Sequence, residues 1–154
     1  MFKTETHLHT KEVSLCGWIC AEDMIKLYYE AGYKTVFVTD HFQQNVIESL
    51  GDIPWEDKVS AFIAGYENAK KAGEKYGMNI LLSAEFAFAD DPHHNHYLAY
   101  GITREFLCKC EGVIYKDICA LSAPWASAYD TMGTRHCVCV WYAVTKSDME
   151  HSGT

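Results

Sequence analysis

The 154-residue chain lacks the sequence signals of membrane, secreted and nucleic-acid-binding proteins. No apolar run approaches the ~20 residues of a membrane span, and no apolar stretch follows Met1 as it would in a secretory signal. A basic surplus is also missing, because 13 Lys and Arg stand against 21 Asp and Glu, for a net charge of −8. This charge repels a phosphate backbone and disfavours nucleic acid as a partner. These absences predict a cytoplasmic protein without membrane contact.

The chain also lacks the features of a disulfide framework. Its seven cysteines are odd in number and no secretion signal precedes them, which argues against paired bridges. Five of the cysteines fall within the last 47 residues, whereas six of the eight histidines fall within the first 96. The length fits about one domain, and the hydrophobic content of 49% is enough for a packed core. The two parts of the chain therefore offer different chemistry.

The first hundred residues alternate between strand and helix patterns. Apolar residues recur at steps of four and three through the segment 55–76, which predicts one long helix with its apolar stripe on a sheet. The stripe comprises Val59, Phe62, Tyr66 and Ala69. We predict strands over 1–7, 35–39, 78–84 and 97–101, helices over 21–32 and 55–76, and a loop from 40 to about 52. This order predicts an α/β fold with a mainly parallel sheet.

Residues of the types that bind metals stand at the ends of these strands. They are His7 and His9 after the first strand, Asp40 and His41 after the second, Glu85 after the third and His96 at the start of the fourth. Because the carboxyl ends of parallel strands share one edge, we expect these groups to converge there. Imidazoles with a carboxylate suit zinc, manganese or iron, and one glutamate can bridge two cations. The pattern predicts a metal site.

Each of these signals has an ordinary explanation when it is taken alone. A single His-x-His is a weak metal signal, and Asp40 fits a capping residue in a strand-end turn. Glu85 fits a solvent-facing strand terminus, while His93 and His94 lie in a polar loop whose histidines are more often solvated than ligating. The coincidence of all of them at the same sheet edge is what favours a metal site over these explanations.

The motifs resemble those of a known family in both order and spacing. They read Glu5-Thr-His7-Leu-His9-Thr10, Thr39-Asp40-His41, Ala84-Glu85-Phe86 and His96-Tyr-Leu-Ala-Tyr-Gly101. Over residues 1–107 this series resembles the PHP superfamily, named for polymerase and histidinol phosphatase. The resemblance implies a distorted β/α barrel, incomplete in this chain, and a centre of two or three divalent metal ions that hydrolyses phosphate monoesters.

The resemblance also implies a role for each matching residue. His7 and His9 would bind one metal, Glu85 would bridge two, and His41 and His96 would bind at neighbouring positions. Asp40 would lie behind these ligands and orient an imidazole or a bound water. Glu85 and Asp40 would therefore be the residues tied most closely to catalysis, in which a water activated by the metals attacks phosphorus.

The chain departs from the family pattern in two places. Many relatives have an aspartate or a histidine shortly after the His-x-His-Thr motif, and here Glu12 or Cys16 would have to serve, or no residue does. The family's later ligands come from an Ala-His-Pro motif and a terminal Asp-x-His motif, and the sequence after residue 107 contains neither. A whole barrel also needs about 200–250 residues.

The segment 108–154 is Cys-rich and loses the regular pattern of the preceding chain. A short helix over 117–128 and a strand over 137–144 are the only elements that it suggests. The pairs Cys108-x-Cys110 and Cys137-x-Cys139 match a zinc ribbon poorly, because structural zinc sites usually separate paired cysteines by two to four residues. Two explanations stay open here, a gene truncated or shifted in frame, and a divergent but genuine C-terminal segment.

Three functional hypotheses follow from this reading. The first is a histidinol-phosphatase-like phosphoesterase that acts on a small phosphorylated substrate. The second is a truncated PHP fragment that binds metal but is catalytically incomplete, unless a homodimer completes the site. The third is an accessory PHP module of a nucleic-acid enzyme, which the acidic charge and the missing basic patch disfavour.

Overall fold

A computed structural model describes residues 2–90 and 96–112, together with the backbone of residues 136–139. The strands are β1 (Lys3–Leu8), β2 (Tyr33–Val38), β3 (His41–Gln43), β4 (Asn79–Ala87), β5 (His96–Tyr100) and β6 (His136–Cys139). The helices are α1 (Ala21–Glu30), α2 (Gln44–Ser49), α3 (Trp55–Phe62), α4 (Ala64–Tyr76) and α5 (Arg104–Cys108). The predicted alternation of strands and helices over the first hundred residues is confirmed.

The strands form one curled sheet in the order β1-β2-β4-β5-β6, with β3 paired to β4. The pairings β1–β2, β2–β4, β3–β4 and β5–β6 are parallel, and β4–β5 is antiparallel. The mainly parallel sheet with helices packed against it confirms the predicted α/β class, and its curl is that of an incomplete β/α barrel.

Strand β4 joins the two halves of the sheet. It has nine residues, and its first half pairs with β2 (Val36 opposite Ile80) while its second half pairs with β3 (His41 opposite Glu85). The third strand therefore continues past its predicted end at residue 84, and Glu85 lies inside a strand rather than after one. Because β5 runs antiparallel to β4, its first residue, His96, pairs with Ala87 at this same edge.

One loop prediction and one helix prediction need correction. The predicted loop between 40 and 52 contains β3 and α2, which are too short to show a periodic pattern. The predicted single helix over 55–76 is interrupted at Ile63, whose φ of −78° and ψ of −2° separate α3 from α4. The apolar stripe is therefore divided between two core clusters. Val59 and Phe62 pack in one cluster, and Ala69 packs in the other.

The core consists of two hydrophobic clusters on the helix-covered side of the sheet. One contains Phe42 and Phe86 with residues of α3 and α5, and the other contains Val36 and Ile80 with residues of α1 and α4. Of the predicted stripe, three residues are buried as expected and Tyr66 is half-buried.

Strand β4 contributes alternate residues to this core, namely Ile80, Ala84 and Phe86. Because successive side chains of a strand point to opposite faces, Glu85 points to the other face of the sheet.

Several predictions fall on residues outside the described ranges. These are the helix over 117–128, the part of the predicted 137–144 strand beyond residue 139, and the loop histidines His93 and His94. The side chains of the second Cys-x-Cys pair lie outside as well, whereas the backbone of β6 confirms the start of that strand. Among the described residues, every helix is too short or too polar to cross a membrane.

Candidate metal centre

The centre is organised around the carboxylate of Glu85, which is buried in β4 with 1% of its surface exposed. Its Oε2 lies 2.8 Å from His7 Nε2, 2.7 Å from His9 Nε2 and 3.4 Å from His41 Nε2. Its Oε1 is hydrogen-bonded to His96 Nδ1. Four imidazoles, two from the end of β1 and one each from the first residues of β3 and β5, therefore converge on a single carboxylate, as the strand-end argument predicted.

The two histidines of the His-x-His motif act as a pair because strand geometry places them on one face. Leu8, between them, points into the core and is 4% exposed. The Nε2 atoms of His7 and His9 lie 2.9 Å apart. This separation is as short as that between two ligands of one ion, so the pair is shaped to hold a cation.

The imidazoles of His41 and His96 continue the row of aromatic side chains beside the carboxylate. The ring centroids of His9 and His41 lie 4.3 Å apart, and those of His41 and His96 lie 5.9 Å apart, both at steep angles. His41 reaches this position because the backbone ladder continues beyond β2, where Glu85 N–H donates to the carbonyl of Asp40 at 3.0 Å. The β3–β4 register thus fixes His41 opposite Glu85.

The imidazoles determine the charge state of Glu85. Burial alone would raise the pKa of its carboxyl, but hydrogen bonds from His41, His7, His9 and His96 outweigh burial and hold this pKa far below its ordinary value. Glu85 is therefore a fixed negative charge in a dry position, where a cation is attracted more strongly than at a surface.

Asp40 lies next to the centre but is engaged elsewhere. Its Oδ1 accepts hydrogen bonds from Thr10 N–H at 2.6 Å and Ser14 Oγ at 2.7 Å, and its Oδ2 accepts one from Thr10 Oγ1 at 2.7 Å. Burial raises the pKa of Asp40, and these hydrogen bonds oppose the rise. The contacts that the structure shows position the chain after His9, whereas the predicted orientation of an imidazole or a water stays a prediction.

The buried Asp40 cluster depends on a close approach of α4. Gly65, in the first turn of α4, stands so near that a Cβ there would lie 2.1 Å from Thr10 Oγ1 and 2.8 Å from Asp40 Oδ2. Only a glycine allows this contact without displacement. Helix α4 therefore packs directly against Asp40 and Thr10.

Ser14 is a buried contact of the site that the sequence did not reveal. It is 1% exposed, and its Oγ accepts a hydrogen bond from His41 N–H at 3.0 Å while donating to Asp40. Ser14 thus links the loop after β1 to the strand that carries His41. Its only sequence signal was a place in the segment where the family pattern expects a further ligand.

The structure separates the two candidates for that further ligand. The carboxylate of Glu12 accepts hydrogen bonds from Ala21 N–H at 3.0 and 3.1 Å, at the first residue of α1, and from Asn68 Nδ2 at 3.3 Å. Cys16 Sγ instead lies 3.0 Å from His9 Nδ1. Glu12 therefore serves α1, and Cys16 is the residue of the pair that faces the imidazoles.

Three overlapping sets of donors fit a metal ion. They are His7, His9 and Glu85; His41, Glu85 and His96; and His9, Cys16 and His41, with the ligand atoms of each set within 4.8 Å of one another. Nitrogen and carboxylate oxygen donors in this mixture suit zinc, manganese or iron. These donor sets therefore suit divalent cations.

Comparison with known proteins agrees with this geometry. The model of the PHP domain matches residues 5–135, so the chain belongs to the PHP domain family. Among curated proteins, no match is found. A two-domain protein from Bacteroides vulgatus, which contains a predicted PHP-like metal-dependent phosphoesterase, aligns with a TM-score of 0.51 at 16% identity, over 66% of this chain and 26% of its own.

A second solved structure is more distant in shape. It is a candidate metal-dependent phosphoesterase from Bifidobacterium adolescentis, with a TM-score of 0.44 at 22% identity, over 63% of this chain and 27% of its own. The chain thus spans about a quarter of the length of either solved protein. The likeness to the first of them shows the fold.

Proposed function

We propose that the chain binds divalent metal ions and hydrolyses a phosphate monoester. The observation that carries this proposal is the convergence of four imidazoles on the buried carboxylate of Glu85, at the strand edge of a PHP fold. The solved relatives described as metal-dependent phosphoesterases support the same chemistry. When bound, divalent cations would polarise a phosphoryl oxygen and lower the pKa of a water molecule at the site.

The two oxygens of Glu85 divide the centre into two sides. Oε2 faces His7, His9 and His41, and Oε1 faces His96. A carboxylate with donors on both oxygens can hold two cations at once, which is the arrangement that stabilises the attacking and leaving oxygens of an in-line displacement. Glu85 would keep the two positions together while the imidazoles orient them.

The substrate is proposed to be a small phosphorylated molecule such as histidinol phosphate. The family resemblance supports this class. The net charge of −8 also favours a compact anion over a long polyanion, because metal ions can bind a single phosphoryl group whereas the protein's charge repels an extended phosphate backbone. The metal centre would recognise the phosphoryl group, so histidinol phosphate and a simple aryl phosphate would share the same reacting end.

Hydrolysis of p-nitrophenyl phosphate by the full chain, with added zinc or manganese, tests the reaction. We expect metal-dependent turnover that His9→Ala abolishes, since this substitution removes a donor 2.7 Å from Glu85. Leu15→Ala is the matched control, because this neighbouring side chain is 90% exposed and should leave turnover unchanged. Turnover that needs no metal, or that survives in His9→Ala, would contradict the proposal. A higher kcat/KM for histidinol phosphate would support the narrower substrate class.

A second candidate is a metal-binding chain without rapid turnover. The observation that favours it is that residues 108–154 contain neither an Ala-His-Pro nor an Asp-x-His motif. A centre without equivalents of those ligands would hold one cation weakly, and each 1.4 kcal/mol of lost transition-state stabilisation lowers the rate about tenfold. Equilibrium dialysis that finds bound zinc, together with negligible phosphatase activity, would favour this candidate. A specific activity (turnover per unit of protein) that rises with protein concentration would indicate that a homodimer completes the site.

A further inference from the structure

An exposed thiol lies on the outer side of the metal centre. Cys16, in the loop between β1 and α1, has its Sγ 3.0 Å from His9 Nδ1, while the Nε2 of the same ring faces Glu85. Ligand atoms of His9, Cys16 and His41 lie within 4.8 Å of one another. This set is the only one of the three donor sets in the described ranges that contains sulfur.

The loop that carries Cys16 is held in place by a network of hydrogen bonds. Ser14 N–H donates to the Thr10 carbonyl at 3.0 Å and Gly17 N–H donates to the Ser14 carbonyl at 2.8 Å, so Cys16 lies inside a closed turn. A Cβ at Gly17 would come within 2.4 Å of the Thr10 backbone, which shows how tightly the turn folds back. Asp40 fixes the base of this turn through Thr10 and Ser14.

The side chains beside Cys16 in the sequence point elsewhere. Leu15 is 90% exposed and Trp18 is 88% exposed, so neither packs over the centre. Of the other acidic or thiol donors in this loop, Glu12 is held at the start of α1, and the Cys20 thiol contacts Asp23 at 3.2 Å. The turn therefore offers one donor to the imidazoles, and that donor is sulfur.

We propose that Cys16 is a sulfur ligand of the metal centre, in the donor set that it forms with His9 and His41. This inference rests on the proposed metal centre and adds to it the identity of the metal. Zinc and ferrous iron accept thiolate ligands readily, whereas manganese and magnesium favour oxygen ligands. Metal binding displaces the thiol proton to solvent, since the thiolate is the ligand form. The centre should accordingly prefer zinc to manganese.

Cobalt(II) substitution of the full, reduced chain provides a readout that is independent of activity. A thiolate bound to cobalt gives a near-ultraviolet sulfur-to-metal charge-transfer band, which nitrogen and oxygen ligands do not give. We expect this band in the wild-type chain and in Cys20→Ser, and its loss in Cys16→Ser. Cys20 is the matched control, because its thiol contacts Asp23 at 3.2 Å rather than an imidazole.

Zinc affinity, measured by competition with a chromophoric chelator, gives the second readout. Cys16→Ser should lower it by at least about 10- to 100-fold, the range seen when even an indirect partner of a metal ligand is removed. Cys16→Asp should bind cobalt without the band and shift the preference toward manganese. A wild-type chain that binds cobalt without the band, a band that persists in Cys16→Ser, or equal loss in both serine variants would overturn the inference. A wild-type chain that binds no cobalt would overturn the proposed metal centre as well.

Discussion

Glu85 and Asp40 both have buried carboxylates, and their backbones are joined by a hydrogen bond, yet the two side chains have different partners. Asp40 is 2% exposed and its oxygens are filled by one backbone N–H and two hydroxyl groups. Glu85 is 1% exposed and its oxygens meet only groups that also bind metals, within the described residues. The environment, and not the carboxylate itself, makes one a structural anchor and the other a candidate ligand.

The electrostatic contrast follows from these partners. Burial raises the pKa of Asp40, because neutral donors only partly replace the water that it loses. At Glu85 burial acts in the same direction, but four imidazoles reverse the shift and lower the pKa. A buried carboxylate that stays ionised attracts a cation. A carboxylate whose oxygens already accept hydrogen bonds from hydroxyls and an amide is compensated for the water that it loses, and it attracts a cation less.

The largest expected effect is the loss of stability in Asp40→Ala. This change leaves Thr10 N–H, Thr10 Oγ1 and Ser14 Oγ without their acceptor inside the protein, at roughly 1–3 kcal/mol for each buried group. We expect the free energy of unfolding in urea to fall by about 3–5 kcal/mol with a chelator present. An unchanged unfolding midpoint, with metal affinity lost, would mean that Asp40 acts on the centre directly and would break the comparison.

Glu85→Gln should show the opposite behaviour, with the fold kept and the metal lost. The amide is nearly the same size as the carboxylate, but it removes the fixed charge and one acceptor oxygen of the centre. We expect zinc affinity to fall at least about 100-fold, which corresponds to about 2.8 kcal/mol, while circular dichroism stays close to wild type. The unfolding midpoint of the metal-free chain should fall, because the imidazoles that lower the pKa of Glu85 favour its ionised form in the folded state. Collapse of the fold in this variant would show that Glu85 is itself a structural anchor.

Gly65→Ala sharpens the comparison because it perturbs only the Asp40 side. The added methyl would lie 2.1 Å from Thr10 Oγ1, so α4 or the loop has to shift. Overpacking of this kind typically costs about 1–3 kcal/mol, and thermal unfolding of the metal-free chain measures it. Ala64→Gly supplies a control at the neighbouring position. Equal stability of Gly65→Ala and wild type would show that the α4 contact does not hold the Asp40 cluster.

The sequence was sufficient to predict the carboxylate–imidazole centre because its residues follow regular strand patterns. The Val-Phe-Val run of β2 and the period-two spacing of His7 and His9 specify both the strands and the faces on which these side chains lie. The β3–β4 register that sets His41 opposite Glu85 depends on long-range pairing, so the sequence could indicate convergence at one edge but no individual distance.

The features that the sequence missed depend on contacts between distant segments. The break at Ile63 leaves the three- and four-residue spacing intact, so no local pattern marks it. Ser14 gains its role only when the loop reaches Asp40, 26 residues away in the chain. Cys16 and Glu12 were indistinguishable as candidates until the start of α1 was placed beside Glu12. Such choices between polar residues are made by tertiary structure.

The smallest expected effect is a pH dependence confined to Asp40. Since its pKa is raised in the folded state, the unfolded chain releases this proton first as the pH increases from about 4. The contribution of Asp40 to stability is therefore fully present below its unfolded pKa and declines as the pH rises through the folded pKa. We expect the difference in unfolding free energy between wild type and Asp40→Asn, measured in urea with a chelator, to move against wild type across this interval. Subtraction of the variant removes the other titrating groups that both chains share. A difference that moves in favour of wild type with rising pH would mean that the hydrogen bonds from Thr10 and Ser14 outweigh burial, and Asp40 would then resemble Glu85.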